Sequence, residues 1–90
     1  MYQITNYTKQ RAKELGVTIY PSEHKNKKID IYKDGEFLFS IGDIRYLDFP
    51  SYFKYGKEIA ERHRNNYYIR HAKDIERVGS KGWYAAMLLW

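Results

Sequence analysis

Between Arg62 and Lys73 the chain sets arginines, histidines and tyrosines side by side: Arg62, His63, Arg64, Tyr67, Tyr68, Arg70, His71 and Lys73. These residue types suit contact with nucleic acid. A guanidinium is planar and donates two parallel hydrogen bonds, which matches a phosphate. A tyrosine offers a ring face to an unstacked base and a hydroxyl to a phosphate oxygen. At about 100° per residue in a helix, positions 62, 66, 69 and 73 form one row and 63, 67, 70 and 71 another. The second row, with His63, Tyr67, Arg70 and His71, reads as a contact stripe. The same stretch also reads as a solvated or structural face. Glu58, Glu61, Asp74 and Glu76 lie within reach, and Glu58–Arg62 and Glu61–Arg64 have the spacing of ordinary helix ion pairs.

A second basic group, Lys25, Lys27 and Lys28, sits in the polar stretch SEHKNKK, read as a loop. It would either touch phosphate or, as lysines often do, protect a sheet edge. Neither group carries a reaction. His63 and His71 are eight apart, whereas metal-binding pairs on a helix use spacings of three or four. His71 and Asp74 have the right spacing, but one pair is a weak metal signal. His24 has no evident partner. Nuclease chemistry would need a base and usually a metal-bound carboxylate, and a trio such as His63, His71 and Asp74 turns up on any helix this rich. No catalytic residue, metal or cofactor is therefore expected.

The elements that must position these residues are readable from local chemistry. Thr5 or Asn6 caps a first helix, because a short polar side chain accepts the free amide hydrogens of its first turn. Gly16 ends that helix in the left-handed conformation, and Tyr7, Arg11, Ala12 and Leu15 share its spacing. Val17 to Tyr20 is a β-branched and aromatic run closed by Pro21, an edge strand. Lys28 to Ile41 is a hairpin around Asp34-Gly35, a pair suited to the positive φ that a two-residue turn requires. Strict alternation puts Phe37, Phe39 and Ile41 on one face, with Leu38 and Ser40 on the other. Two strands alone are marginal in water, so a third strand or a helix must cover the apolar face.

Beyond the hairpin, Asp48 or Ser51 caps a helix with Pro50 in its first turn, where a missing amide costs nothing. Gly56 interrupts or restarts it. Lys57 to about Asp74 contains no glycine or proline and continues as a longer helix whose apolar stripe is incomplete. Gly79-Ser80 breaks the chain, and Ser80 caps a last helix over about Lys81 to Trp90, a tail that plugs the core, in which Trp83, Met87 and Trp90 share spacing, as do Tyr84 and Leu88. The expected fold is α+β: a short N-terminal helix, a small antiparallel sheet of two to three strands, then a longer basic helix and a C-terminal helix packed on the sheet.

Ninety residues suit a single compact domain, 1–90, with a marginal core. An aromatic fraction of 18%, with ten tyrosines, supplies large rings that partly offset the small size. Lysine and arginine outnumber aspartate and glutamate 16 to 11. The surplus is spread evenly, and it favours acidic partners or serves solubility alone. Cysteine is absent, which excludes disulfides and thiolate metal sites. The start MYQITNYTKQ has no signal-peptide pattern. The longest apolar run, Trp83 to Trp90, is far too short to span a bilayer.

The segments KKIDIYKDGEFLFSIGDIRYLDFPSY and YYIRHAKDIERVGSKGWYAAMLLW, with the NYTKQRAKELGV start, resemble a family of small proteins from large DNA viruses and tailed phages. The likeness rests on Ser40-Ile41-Gly42, Tyr46 with Asp48 and Pro50, Arg70-His71, Gly79-Ser80 and Leu88-Leu89-Trp90. Met87 departs from it, standing where a variable or polar residue is expected. The resemblance implies a viral origin and a full-length domain ending at Trp90. It carries no activity and no catalytic residues.

The expected function is that of a non-enzymatic viral accessory protein. It would bind DNA or RNA through Arg62, Arg64, Tyr67, Arg70, His71 and Lys73, with Lys25, Lys27 and Lys28, at low sequence specificity and with strong salt dependence. The alternatives are a virion or assembly protein that binds other proteins through tyrosine and arginine anchors, and a small phage-encoded inhibitor of a host nucleic-acid enzyme. No membrane partner is expected, and the expected location is host cytoplasm or virion.

Overall fold

Thr5 opens the chain's first helix. Its hydroxyl accepts the Thr8 amide hydrogen at 3.3 Å, and helix α1 runs over Asn6–Leu15. Arg11 lies over the Tyr7 ring, 5.5 Å from its centroid. In this computed structural model, which describes residues 1–90, the chain is mixed α+β: five α-helices, one 3-10 turn and a three-stranded antiparallel sheet. It forms two compact units, Met1–Tyr46 and Leu47–Trp90.

The first unit holds α1 and the sheet. Strands β1 (Thr18–Pro21), β2 (Lys27–Lys33) and β3 (Glu36–Asp43) lie in the order β1-β2-β3, so β1 is an edge strand as its proline requires. The β2–β3 turn has φ of 51° at Asp34 and 81° at Gly35, the positive-φ pair that two-residue hairpins use. Ile29 pairs with Ile41 and Ile31 with Phe39, but Tyr32 pairs with Phe37. One residue of β3, Leu38, is thus extra. This bulge reverses the side taken by everything nearer the turn. The expected grouping of Phe37 with Phe39 and Ile41 is corrected accordingly. Phe37 stands opposite Tyr32 and is 48% exposed, whereas Ile29, Ile31 and Ile41 are fully buried.

At the far end of β3, Arg45 closes on Asp43: Nε donates to both carboxylate oxygens at 2.9 and 3.3 Å, Nη2 donates at 2.7 Å, and the Arg45 amide donates at 2.9 Å. The Arg45 side chain is the main cause that holds the Asp43 carboxyl down at about 2, with the Arg45 amide next. A depressed carboxyl stabilises the fold above its ordinary pKa, and that contribution is lost as pH falls from about 4 through about 2. Replacing Arg45 with Gln should move the Asp43 midpoint part of the way back towards 3.8, because the amide remains. Carboxyl titration by NMR reads this, and an unmoved midpoint would contradict it.

The second unit is helical. Asp48, fully buried, accepts from the Ser51 amide at 3.1 Å and the Ser51 hydroxyl at 2.7 Å, capping α2 (Phe49–Tyr52) with Pro50 in its first turn. A 3-10 turn, Phe53–Tyr55, leads to Gly56, where α3 (Lys57–Arg70) restarts. The expected long helix to Asp74 is broken at His71, whose φ of −112° and ψ of 23° leave the helical region. A separate turn, α4 (Ala72–Glu76), follows. Ser80 caps α5 (Lys81–Leu89), accepting from the Trp83 amide at 3.1 Å. α5 passes α4 at Gly82, where any Cβ would stand 2.5 Å from Asp74 Cβ. Only a glycine allows that approach. Tyr84, Ala86, Leu88 and Leu89 are buried on α5.

Candidate nucleic-acid interface

Helix α3 has fourteen residues, and only Ala60 is fully buried. An apolar stripe therefore does not hold it. Rings do. His63 stacks on Tyr52 with centroids 3.8 Å apart and planes within 4°. Four residues on, Tyr67 stacks on Trp90 at 4.5 Å and 11°. Four further, His71 stacks on Tyr67 at 4.2 Å and 29°. The i, i+4, i+8 spacing of 63, 67 and 71 brings the three rings to one face, and that face packs against α2 and the C-terminal residue. Burial, assisted by the nearby Asp74 carboxylate, pushes the Tyr67 phenol above its ordinary value.

The expected contact stripe is therefore divided. His63, Tyr67 and His71 present their ring faces to other rings of the protein. Arg64 lies over the Phe49 ring, 4.6 Å from its centroid, and donates from Nε to the Tyr68 hydroxyl at 3.3 Å. Its guanidinium works as packing surface as well as charge. Arg62, Arg70 and Lys73 stand exposed. Neither Glu58–Arg62 nor Glu61–Arg64 closes as an ion pair. His71 Nδ1 lies 3.3 Å from Asp74 Oδ2, and no cluster of three metal-ligating side chains forms around the pair or elsewhere.

The lysine group is divided as well. Lys25 is exposed in the β1–β2 loop, while Lys27 and Lys28 belong to strand β2 rather than to the loop. Lys27 is half-buried. Lys28 is only 3% exposed, with its Nζ 5.3 Å from the centroid of the Tyr2 ring. A cation packed on a ring within the fold gains from the ring's negative face, and it is poorly placed to reach a phosphate.

Two groups of ring contacts escaped sequence reading. Tyr52 and Trp90 complete the ring seam, and only the i, i+4 aromatic spacing on α3 signalled that partners must exist. The other is the set Tyr20, Tyr32 and Phe37 on the sheet, hidden by the one-residue bulge at Leu38.

Fold and site together define a small mixed α+β protein with exposed arginines and lysines beside aromatic faces. No protein-family model, curated protein or solved structure matches the chain. No helix is long and apolar enough to cross a membrane.

Proposed function

We propose that this chain is a non-enzymatic viral accessory protein that binds nucleic acid through phosphate contacts, with low sequence specificity. The observation that carries the reading is the exposure of Arg62, Arg70 and Lys73 along α3 and α4 without a carboxylate partner. An unpaired surface cation gives up little on meeting a phosphate, whereas a paired one must first lose its partner. Lys25 and Lys27 on the first unit, together with the overall charge of +5, add to the attraction. Arg64, Tyr67 and His71 support the surface from beneath.

The test is a salt titration of oligonucleotide binding over roughly 50–200 mM, where phosphate contacts weaken steeply. The triple variant Arg62→Gln, Arg70→Gln, Lys73→Gln should remain folded by circular dichroism and lose about 2 to 3 from the log–log salt slope, near one per cation removed. No binding by the wild-type protein at the lowest salt sinks the reading. A second reading, a virion or assembly protein that binds other proteins, draws on Phe53 and Tyr55, exposed at 45% and 60% beside α3. It requires that oligonucleotides fail to bind.

A further inference from the structure

The face of α3 that the ring seam leaves uncovered differs from an ordinary solvated face. Of the two rows on this helix, one turns His63 and Tyr67 to Tyr52 and Trp90. The other, with Arg62, Asn66 and Ile69, stands exposed together with Asn65. At about 100° per residue these four residues fall within an arc of about 100°, and Ala60 and Tyr67 lie on the opposite side. Ile69 is 75% exposed. Neither asparagine side chain has a hydrogen-bond partner within the protein. Asparagine is a weak helix former, because its amide competes for the backbone. Two in succession in mid-helix, capping nothing, do nothing for the fold.

The charge around this row is ordered along the chain. From Arg62 to Lys73 there are Arg62, Arg64, Arg70 and Lys73 and no aspartate or glutamate. Glu58 and Glu61 stand in the first turns of α3, and Asp74 and Glu76 follow Lys73 in α4. A polyanion is thus drawn to the middle of the surface and repelled at its ends. Arg62 begins the row, Arg70 stands to one side and Lys73 follows the break, so exposed cations flank the amides and the isoleucine. That chemistry matches one form of nucleic acid. An asparagine amide pairs with the major-groove edge of adenine, and an aliphatic group meets the thymine methyl. The B-form major groove is about 12 Å wide and admits an α-helix, whose diameter with side chains is about 10–12 Å. Arg62 to Ile69 spans about 10 Å along the axis, or about three base pairs. Duplex RNA has a deep, narrow major groove that side chains cannot read. A single strand has no groove. The ring stacks and the Arg64–Phe49 contact fix the helix from behind.

We infer that the ligand is double-stranded, B-form DNA and that α3 enters its major groove from Arg62 onward. Asn65, Asn66 and Ile69 meet base edges, while Arg62, Arg70 and Lys73 reach the phosphates of the rims. The inference rests on the nucleic-acid reading above and adds to it the form of the ligand and the residues that touch bases. Those contacts are few, so they adjust an affinity that the phosphates set.

The experiment uses the full chain and fluorescein-labelled probes of one mixed sequence, roughly 20 nucleotides long, about two helical turns. The probes are a DNA duplex, an RNA duplex, single-stranded DNA and a DNA duplex built with 7-deazapurines. The last lacks the N7 acceptors of the major groove but keeps every phosphate. Wild-type protein should bind the plain DNA duplex most tightly and the deazapurine duplex on the order of ten-fold more weakly. The double variant Asn65→Ala, Asn66→Ala should lose a similar factor on the plain duplex. Its salt slope should not change, because no phosphate contact is removed. Alanine is the better helix former, so this variant keeps the fold, and the deazapurine probe reads the groove with the wild-type protein alone. Equal affinity for duplex RNA or single strand, indifference to N7, or wild-type affinity in the double variant would each overturn the groove reading and leave phosphate contact standing. Failure of the wild-type protein to bind any probe at roughly 50 mM salt removes both.

Discussion

Tyr67→Ala should lower stability by about 2–3 kcal/mol, and it should do so whether or not nucleic acid is present. The magnitude has two parts. Half-burial of a large ring contributes roughly half of the 1.5–3 kcal/mol that a fully buried side chain supplies. Each aromatic contact adds about 0.5–1.5 kcal/mol beyond area, and Tyr67 stacks on both Trp90 and His71. At about 4–8 °C per kcal/mol for a chain of this size, the expected fall in melting temperature is on the order of 10–20 °C. Tyr67→Phe keeps both stacks and should stay near wild type. Arg70→Gln, three residues on and exposed, should change stability by no more than about 0.5 kcal/mol while weakening oligonucleotide binding. Thermal melts of the three variants decide the matter. If Tyr67→Ala melts with the wild type and binding alone suffers, the row of 63, 67 and 71 faces the ligand rather than the protein.

That contrast marks where the sequence could be read and where it could not. Caps and turns are local chemistry, and they were legible: Thr5, Asp48 and Ser80 each accept the expected amide hydrogen, and Asp34-Gly35 makes the expected turn. The three-stranded antiparallel sheet and the α+β class follow from those punctuation marks. The site was harder, because histidine, tyrosine and arginine are amphipathic. A row of them at helical spacing has the same signature whether it meets a phosphate or a ring. The partners that decide it, Tyr52 and Trp90, lie outside the helix, on elements before and after it. The break at His71 had no signal either, since neither glycine nor proline marks it. Lys28 follows the polar parity of its strand yet is buried beside Tyr2, a residue far from it along the chain.

The bulge at Leu38 is the costliest omission, because a single extra residue changes which side chain supports the fold and which is offered to solvent. Strict alternation would make Phe37 a core residue equivalent to Ile31. The pairing of Tyr32 with Phe37 makes them opposites. Ile31→Ala should therefore cost about 2–5 kcal/mol, the range for a fully buried aliphatic side chain that leaves a cavity. Phe37→Ser should cost about 1–2 kcal/mol, since nearly half of the ring is already in water and its contacts to Tyr32 and His24 are lost without leaving a closed cavity. Chemical denaturation of the two variants compares them directly, and equal midpoint shifts would restore the unbulged register. The bulge thus sets Phe37 beside Tyr32 instead of beside Phe39, so the ring leaves the isoleucine side of the sheet and trades burial for edge contact with a neighbouring ring.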